Sequence, residues 1–124
     1  MKRRPLVYIA GPYTNPDPVE NTRIAGVCWH RLWASGVVAP ICPHLSMYLD
    51  RLCGLPYEDW MSYDFEVMVR CDAVLRLPGE SIGADRETDL AESMGIPVFR
   101  DEPDLITWAG AIVRMYEARS GAMK

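Results

Sequence analysis

Apolar positions along the chain alternate between a two-residue and a 3.6-residue period, and the switches predict four strands and four helices in turn. Residues 5–10, Pro-Leu-Val-Tyr-Ile-Ala, form a β-rich run closed by Gly11-Pro12, which predicts a first buried strand. Asp17-Pro18-Val19-Glu20 sets an acid at the N-cap, proline at the first helical position and glutamate at the third. A helix with a capping box opens there and runs to about Ser35. Thr22, Ala25, Cys28, Trp29 and Leu32 make its inner face, and Gly36 stops it before a second strand over 37–41. Pro40 and Pro43 predict an edge position, because proline has no N–H for a central ladder. Residues 42–56 read as loop. The helical period returns over 57–70, with Tyr57, Trp60, Asp64, Val67, Met68 and Cys71 on one stripe. A third strand spans 72–77, followed by a glycine loop, a helical pattern ending at Gly95-Ile96-Pro97, and a short fourth strand over 97–100. The last helix starts near Pro103-Asp104 and repeats Leu105, Trp108, Ile112 and Met115 at helical spacing before a frayed tail over 120–124.

Strands alternating with helices predict a parallel sheet with right-handed crossovers and helices on both faces. The expected fold is therefore α/β: a flavodoxin-like (Rossmann-like) three-layer sandwich with a four- to five-stranded parallel sheet. In that strand order the first and third strands are neighbours. The loops leaving them, over 11–15 and 78–83, flank the switch point at which open α/β sheets bind ligands. Topology thus gathers Tyr8, the Gly11 loop, Ser81 and Glu87 around one crevice.

Composition narrows the function classes. With 124 residues, 49% of them apolar, the chain is expected to form one domain over 1–124 that buries about two-thirds of its unfolded surface. A formal charge of -4 provides no field for a nucleic acid polymer, and Lys2-Arg3-Arg4 is too short to supply one. Small anionic ligands stay open, since local donors decide those. Cys28, Cys42, Cys53 and Cys71 contain no CxxC pair, and neither a secretory apolar region nor an 18-residue apolar span occurs. A cytoplasmic protein with reduced, buried thiols and no membrane partner is expected. The spacing of Cys42, His44 and Cys53 matches no common zinc site, so neither metal nor cofactor is expected.

Two carboxylates break this apolar patterning. On the helix after the third strand, Gly83, Ala84, Glu87, Leu90, Ala91 and Met94 share the inner face. An unpaired acid there is costly, so Glu87 is either a site residue or a core glutamate satisfied by an arginine or amide. Asp64 stands in the middle of the preceding stripe. Two helices each carrying one acid in an apolar face point to a paired acid site. Arg76, near the end of the third strand, either pairs with one of these acids or points into the crevice. Between the helices, His44, Tyr48 and Asp50 are the loop residues able to meet a ligand. On the outer face of the Asp64 helix, Phe65 and Val69 form an exposed apolar pair, which predicts a subunit contact.

Val7-Tyr8-Ile9-Ala10-Gly11-Pro12-Tyr13, Pro43-His44, Tyr63-Asp64, Cys71-Asp72-Ala73-Val74, Ser81-Ile82-Gly83-Ala84-Asp85-Arg86-Glu87 and Gly95-Ile96-Pro97-Val98 together resemble the nucleoside 2-deoxyribosyltransferase-like superfamily. The likeness covers residues 5–99 and is nearest the short members and the 2'-deoxynucleoside 5'-monophosphate N-glycosidases. It implies that Glu87 attacks the anomeric carbon, that Asp64 handles the proton on the nucleobase, and that Tyr8 orients Glu87. Gly11, Pro12, Tyr13, His44, Ser81 and Gly83 would contact a small nucleotide or nucleoside, and the protein would be a homodimer or larger. Glu87 would then stay ionised, helped by up to ~1 kcal/mol from the first turn of its helix, while Asp64 keeps a proton. Ser81 stands where the monophosphate hydrolases have a phosphate-binding serine and the free-nucleoside transferases an aspartate. It either binds a 5'-phosphate or merely caps its helix. Gly11-Pro12-Tyr13-Thr14 departs from the hydrolases' glycine- and serine-richer first loop. The rival from another class is a non-catalytic nucleotide-binding or sensor module.

Overall fold

Val7, Tyr8, Ile9 and Ala10 are fully buried in β1 (Leu6–Ala10), which requires strands on both of its edges and helices on both faces. The computed structural model, which describes residues 2–122, supplies both. Strands β2 (Ala39–Ile41), β3 (Ala73–Arg76) and β4 (Val98–Phe99) join β1 in a parallel sheet of order β2-β1-β3-β4. This is the expected flavodoxin-like order with four strands, and β2 lies at its edge as Pro40 predicts. Tyr8 stands opposite Val74 and Ala10 opposite Arg76.

Side-chain alternation divides the core in two. Val7, Ile9, Ala73 and Leu75 pack with Ala25, Cys28 and Leu32 of α1 (Pro18–Ala34) and with Leu105 and Ala109 of α5 (Glu102–Ala122). On the other face, Tyr8, Ala10 and Val74 pack with Met68 of α3 (Tyr57–Met68) and with Ala84 and Ala91 of α4 (Ile82–Ser93). No helix among the described residues is long and apolar enough to cross a membrane.

Several local readings change. Asp17 caps α1 by accepting from the Val19 N–H at 3.2 Å, but Glu20 turns to Arg23 instead of closing the capping box. Asn21 takes the buried position expected for Thr22, and Trp29 is half-buried with its indole N–H on Pro40 O. The supposed loop over 42–56 contains a 3-10 turn, Pro43–Ser46, and α2 (Met47–Cys53), closed by Gly54 at φ 60°. Because α2 buries no residue, it has no amphipathic stripe from which to be read.

The strands and the other helices also shift at their ends. β2 starts at Ala39 rather than 37, β3 and β4 are each one residue shorter at both ends than expected, and α3 ends at Met68. Thr88 joins the inner face of α4, whereas Met94 lies past its end and is 53% exposed. α5 starts at Glu102 and continues to Ala122, through part of the expected frayed tail, with Leu105, Ala109 and Val113 as its buried row. Phe65 and Val69 are half-buried, the latter against the Tyr8 core, so they are not an exposed pair. The exposed apolar side chains cluster instead at Leu45, Tyr48, Leu49, Leu52 and Leu55. Cys53 is exposed, unlike the other three cysteines.

The loops leaving β1 and β3 touch. A Cβ on Gly79 would lie 2.9 Å from Pro12 Cγ, and Gly79 has φ 114°, a conformation that L side chains rarely adopt. Gly79→Ala is therefore expected to destabilise the protein by roughly 1–3 kcal/mol, seen as a lower urea midpoint at unchanged m-value. An unchanged midpoint would show that the two loops yield freely.

Candidate functional site

Each wall of the switch-point crevice is fixed by local hydrogen bonds. Past β1, Asn21 of α1 donates from Nδ2 to Tyr13 O at 3.0 Å and to Asn15 O at 2.9 Å, which ties the Gly11 loop to α1. From the 3-10 turn, His44 donates through Nε2 to Pro12 O at 2.8 Å, and the Tyr13 ring meets the imidazole edge-on. Burial holds the His44 pKa below its usual value, so the ring is neutral and Nδ1 is its unprotonated nitrogen. Past β3, Ser81 Oγ accepts from the Ala84 N–H at 3.1 Å and caps α4. The capping role of Ser81 is thus realised, and its own O–H stays available as a donor.

These walls enclose a cavity of about 530 Å³ lined by Gly11, Pro12, Tyr13, His44, Asp64, Ser81, Gly83 and Glu87. A smaller one of about 240 Å³ is lined by Tyr8 and Asp64, together with Leu45, Leu49 and Tyr63. Every residue to which the family likeness gives a catalytic or binding role therefore borders one of two cavities, and Asp64 borders both, whereas Asp50 borders neither. Sequence reasoning missed part of the lining. Trp60 and Tyr57 also face the larger cavity, and Trp60 donates its indole N–H to Asp50 at 2.6 Å. Their i, i+3, i+7 spacing with Asp64 was legible, but it read as a core stripe because one end of α3 faces the crevice instead of the sheet. Tyr48 is exposed at 67% and lines neither cavity. Glu80 adds a third carboxylate to the larger cavity, whose lining contains neither lysine nor arginine.

The Tyr8 hydroxyl donates to Glu87 Oε2. Glu87 is 5% exposed, and that burial pushes its pKa to about 8 despite the tyrosine's opposing effect, with Asp64 raising it further. Asp64 is half-buried and is pushed by burial to about 6. Tyr8 is raised above its usual value by burial and by Glu87. Burial therefore raises both acids, and raises the more deeply buried Glu87 further, which opposes the expected order of an ionised Glu87 beside a protonated Asp64. Depth of burial is the reason, and the helix cannot offset it. Glu87 is the sixth residue of α4, beyond the first turn, where Asp85 stands instead. Arg76 pairs with neither acid of the site; its guanidinium binds Asp85 at 3.0 Å.

A parallel α/β sandwich with two acids at its switch point is the class that fold and site define. Residues 5–100 match the family described as Domain of unknown function (DUF4406), and the chain belongs to it. The matched span contains all the site residues named above. No curated protein matches the chain.

A carboxyl group that keeps its proton to about pH 8 when folded, but only to about its ordinary 4.5 when unfolded, binds more protons in the native state across that window. Stability is therefore expected to fall as pH rises from about 4.5 to 8. Glu87→Gln should gain stability relative to wild type over the same interval, read from urea midpoints measured across it. Parallel pH curves for the two proteins would contradict the raised pKa.

Proposed function

We propose that this protein cleaves, or transfers at, the N-glycosidic bond of a (deoxy)nucleoside or its 5'-monophosphate through a glutamyl-glycosyl intermediate. The observation that carries the reading is Glu87, buried, hydrogen-bonded by the Tyr8 hydroxyl and sharing a cavity with Asp64. The sequence likeness to the nucleoside 2-deoxyribosyltransferase-like superfamily supports the same chemistry. A Glu87 oxygen bonds to the anomeric carbon as the bond to the base nitrogen breaks, and Asp64 gives that nitrogen a proton. Water or a second base then returns a proton to Asp64 while attacking the anomeric carbon, and Glu87 leaves as the carboxylate. The Tyr8 O–H fixes which Glu87 oxygen is free to react.

The reacting form holds its single proton on Asp64, while burial raises Glu87 further than Asp64. Turnover then draws on a singly protonated pair, whose apparent pKa values belong to the pair and not to either acid. Homo-oligomerisation belongs to the same proposal; the exposed apolar side chains of α2, rather than Phe65 and Val69, would form the contact.

Substrate choice turns on the mouth of α4. Ser81 O–H and the amides of the Gly79 to Gly83 loop suit a 5'-phosphate. The neighbouring Glu80 carboxylate and a lining without cations favour the free nucleoside as the second reading.

Incubation with a panel of nucleosides and their monophosphates should release free base, and Glu87→Gln should reduce that release by at least ~100-fold while remaining folded. Asp64→Asn should lose more on poor leaving bases than on activated ones. Nucleotide binding without base release in wild type would establish the sensor module instead. The ratio of kcat/KM for a matched monophosphate and nucleoside decides between the two substrates. A phosphate held by Ser81 predicts a ratio well above one that Ser81→Asp reverses. A ratio near one, indifferent to that change, leaves Ser81 as a helix cap and the nucleoside as substrate.

A further inference from the structure

β3 ends on an arginine, an unusual residue in a strand whose four residues are all buried. Register sets Arg76 opposite Ala10, on the sheet face that carries Tyr8 and α4. It is 6% exposed and is the one buried lysine or arginine among the described residues. Arg76 lines neither cavity. Nη1 donates to Leu77 O, and Nη2 donates to Gly79 O at 2.9 Å and to Asp85 Oδ1 at 3.0 Å. One fork thus ties together the end of β3, the loop that leads to Ser81, and the first turn of the helix that carries Glu87. A lysine, with a point charge in place of a planar fork, could not hold all three acceptors in this way.

The ion pair is lopsided. Arg76 is buried, whereas the Asp85 side chain is 63% exposed, so solvent screens the anion more than the cation. Nε, moreover, is buried without a partner, an arrangement poorly suited to stability alone.

We infer that Arg76 is a positioning residue for Glu87: its fork holds the β3–α4 loop against the first turn of α4, and its charge is the buried cation that offsets the acids of the cavity. The titratable and charged groups that act on Glu87 are the Tyr8 hydroxyl from β1, which donates to it, and the charges of Asp64 from α3 and Arg76 from β3, while Asp85 of α4 accepts from Arg76. Arg76 opposes the upward pull of burial on the Glu87 pKa. Its value to turnover rests on the glycosidic reading above, because that chemistry needs the Glu87 anion. Its effect on Glu87 does not.

The test is the titration midpoint of the Glu87 carboxyl, followed by side-chain carbon NMR in the free protein without substrate. Arg76→Met should raise the midpoint by about one pH unit, and Asp85→Asn should lower it. Arg76→Lys should leave it near wild type while speeding hydrogen exchange at the Gly79, Glu80 and Ser81 amides. A merely structural arginine predicts otherwise: any loosening hydrates Glu87 and lowers the midpoint in Arg76→Met and Arg76→Lys alike. A fall or no change in Arg76→Met overturns the inference. Should that variant not fold, a lowered midpoint in Arg76→Lys overturns it and a wild-type midpoint with faster loop exchange sustains it. Absence of base release from any nucleoside would sink the glycosidic reading but leave this result standing.

Discussion

A carboxyl group held in an apolar core needs a donor, and for Glu87 that donor is the hydroxyl of the fully buried Tyr8 on the interior strand β1. The contact constrains much of the chain. β1 and β3 must be neighbours so that the crossover after β3 lays α4 over Tyr8, and the face of α4 must turn Ala84, Glu87 and Ala91 inward together. The two loops at the strand ends must then approach closely, which is why Gly79 packs against Pro12.

Depth of burial sets the electrostatics of the site. Both acids lose hydration, and the more deeply buried one loses more, so burial works hardest against the residue expected to be the anion. Helix position does not reverse this, since the favourable field of a helix N-terminus fades beyond its first turn. The charge of Arg76 acts in the opposite direction, and Asp85, its exposed partner, offsets part of that charge.

The same cavity combines three carboxyl groups with uncharged donors. Glu80, Asp64 and Glu87 line it with neither lysine nor arginine among them, while Ser81 and the adjoining amides are the groups that can meet an anion. An anionic ligand would therefore be held by hydrogen bonds and repelled by charge. A neutral sugar meets only the hydrogen bonds.

Periodicity in the sequence determined the α/β alternation, the edge position of β2 through Pro40, and the placement of Glu87 on the inner face of α4, because each depends on neighbours within one element. Asp64 was legible for the same reason, as an acid at a stripe position. α2 was not, since a helix that buries nothing leaves no stripe. Nor was the cavity-facing end of α3, because Trp60 and Tyr57 have the spacing of core residues, and only the approach of the strand-end loops decides that they face open space. The partner of Arg76 and the order of the two acidic pKa values lay furthest from reach. Both depend on distances between elements and on depths of burial, which exist only once the sheet has brought β1, β3, α3 and α4 together.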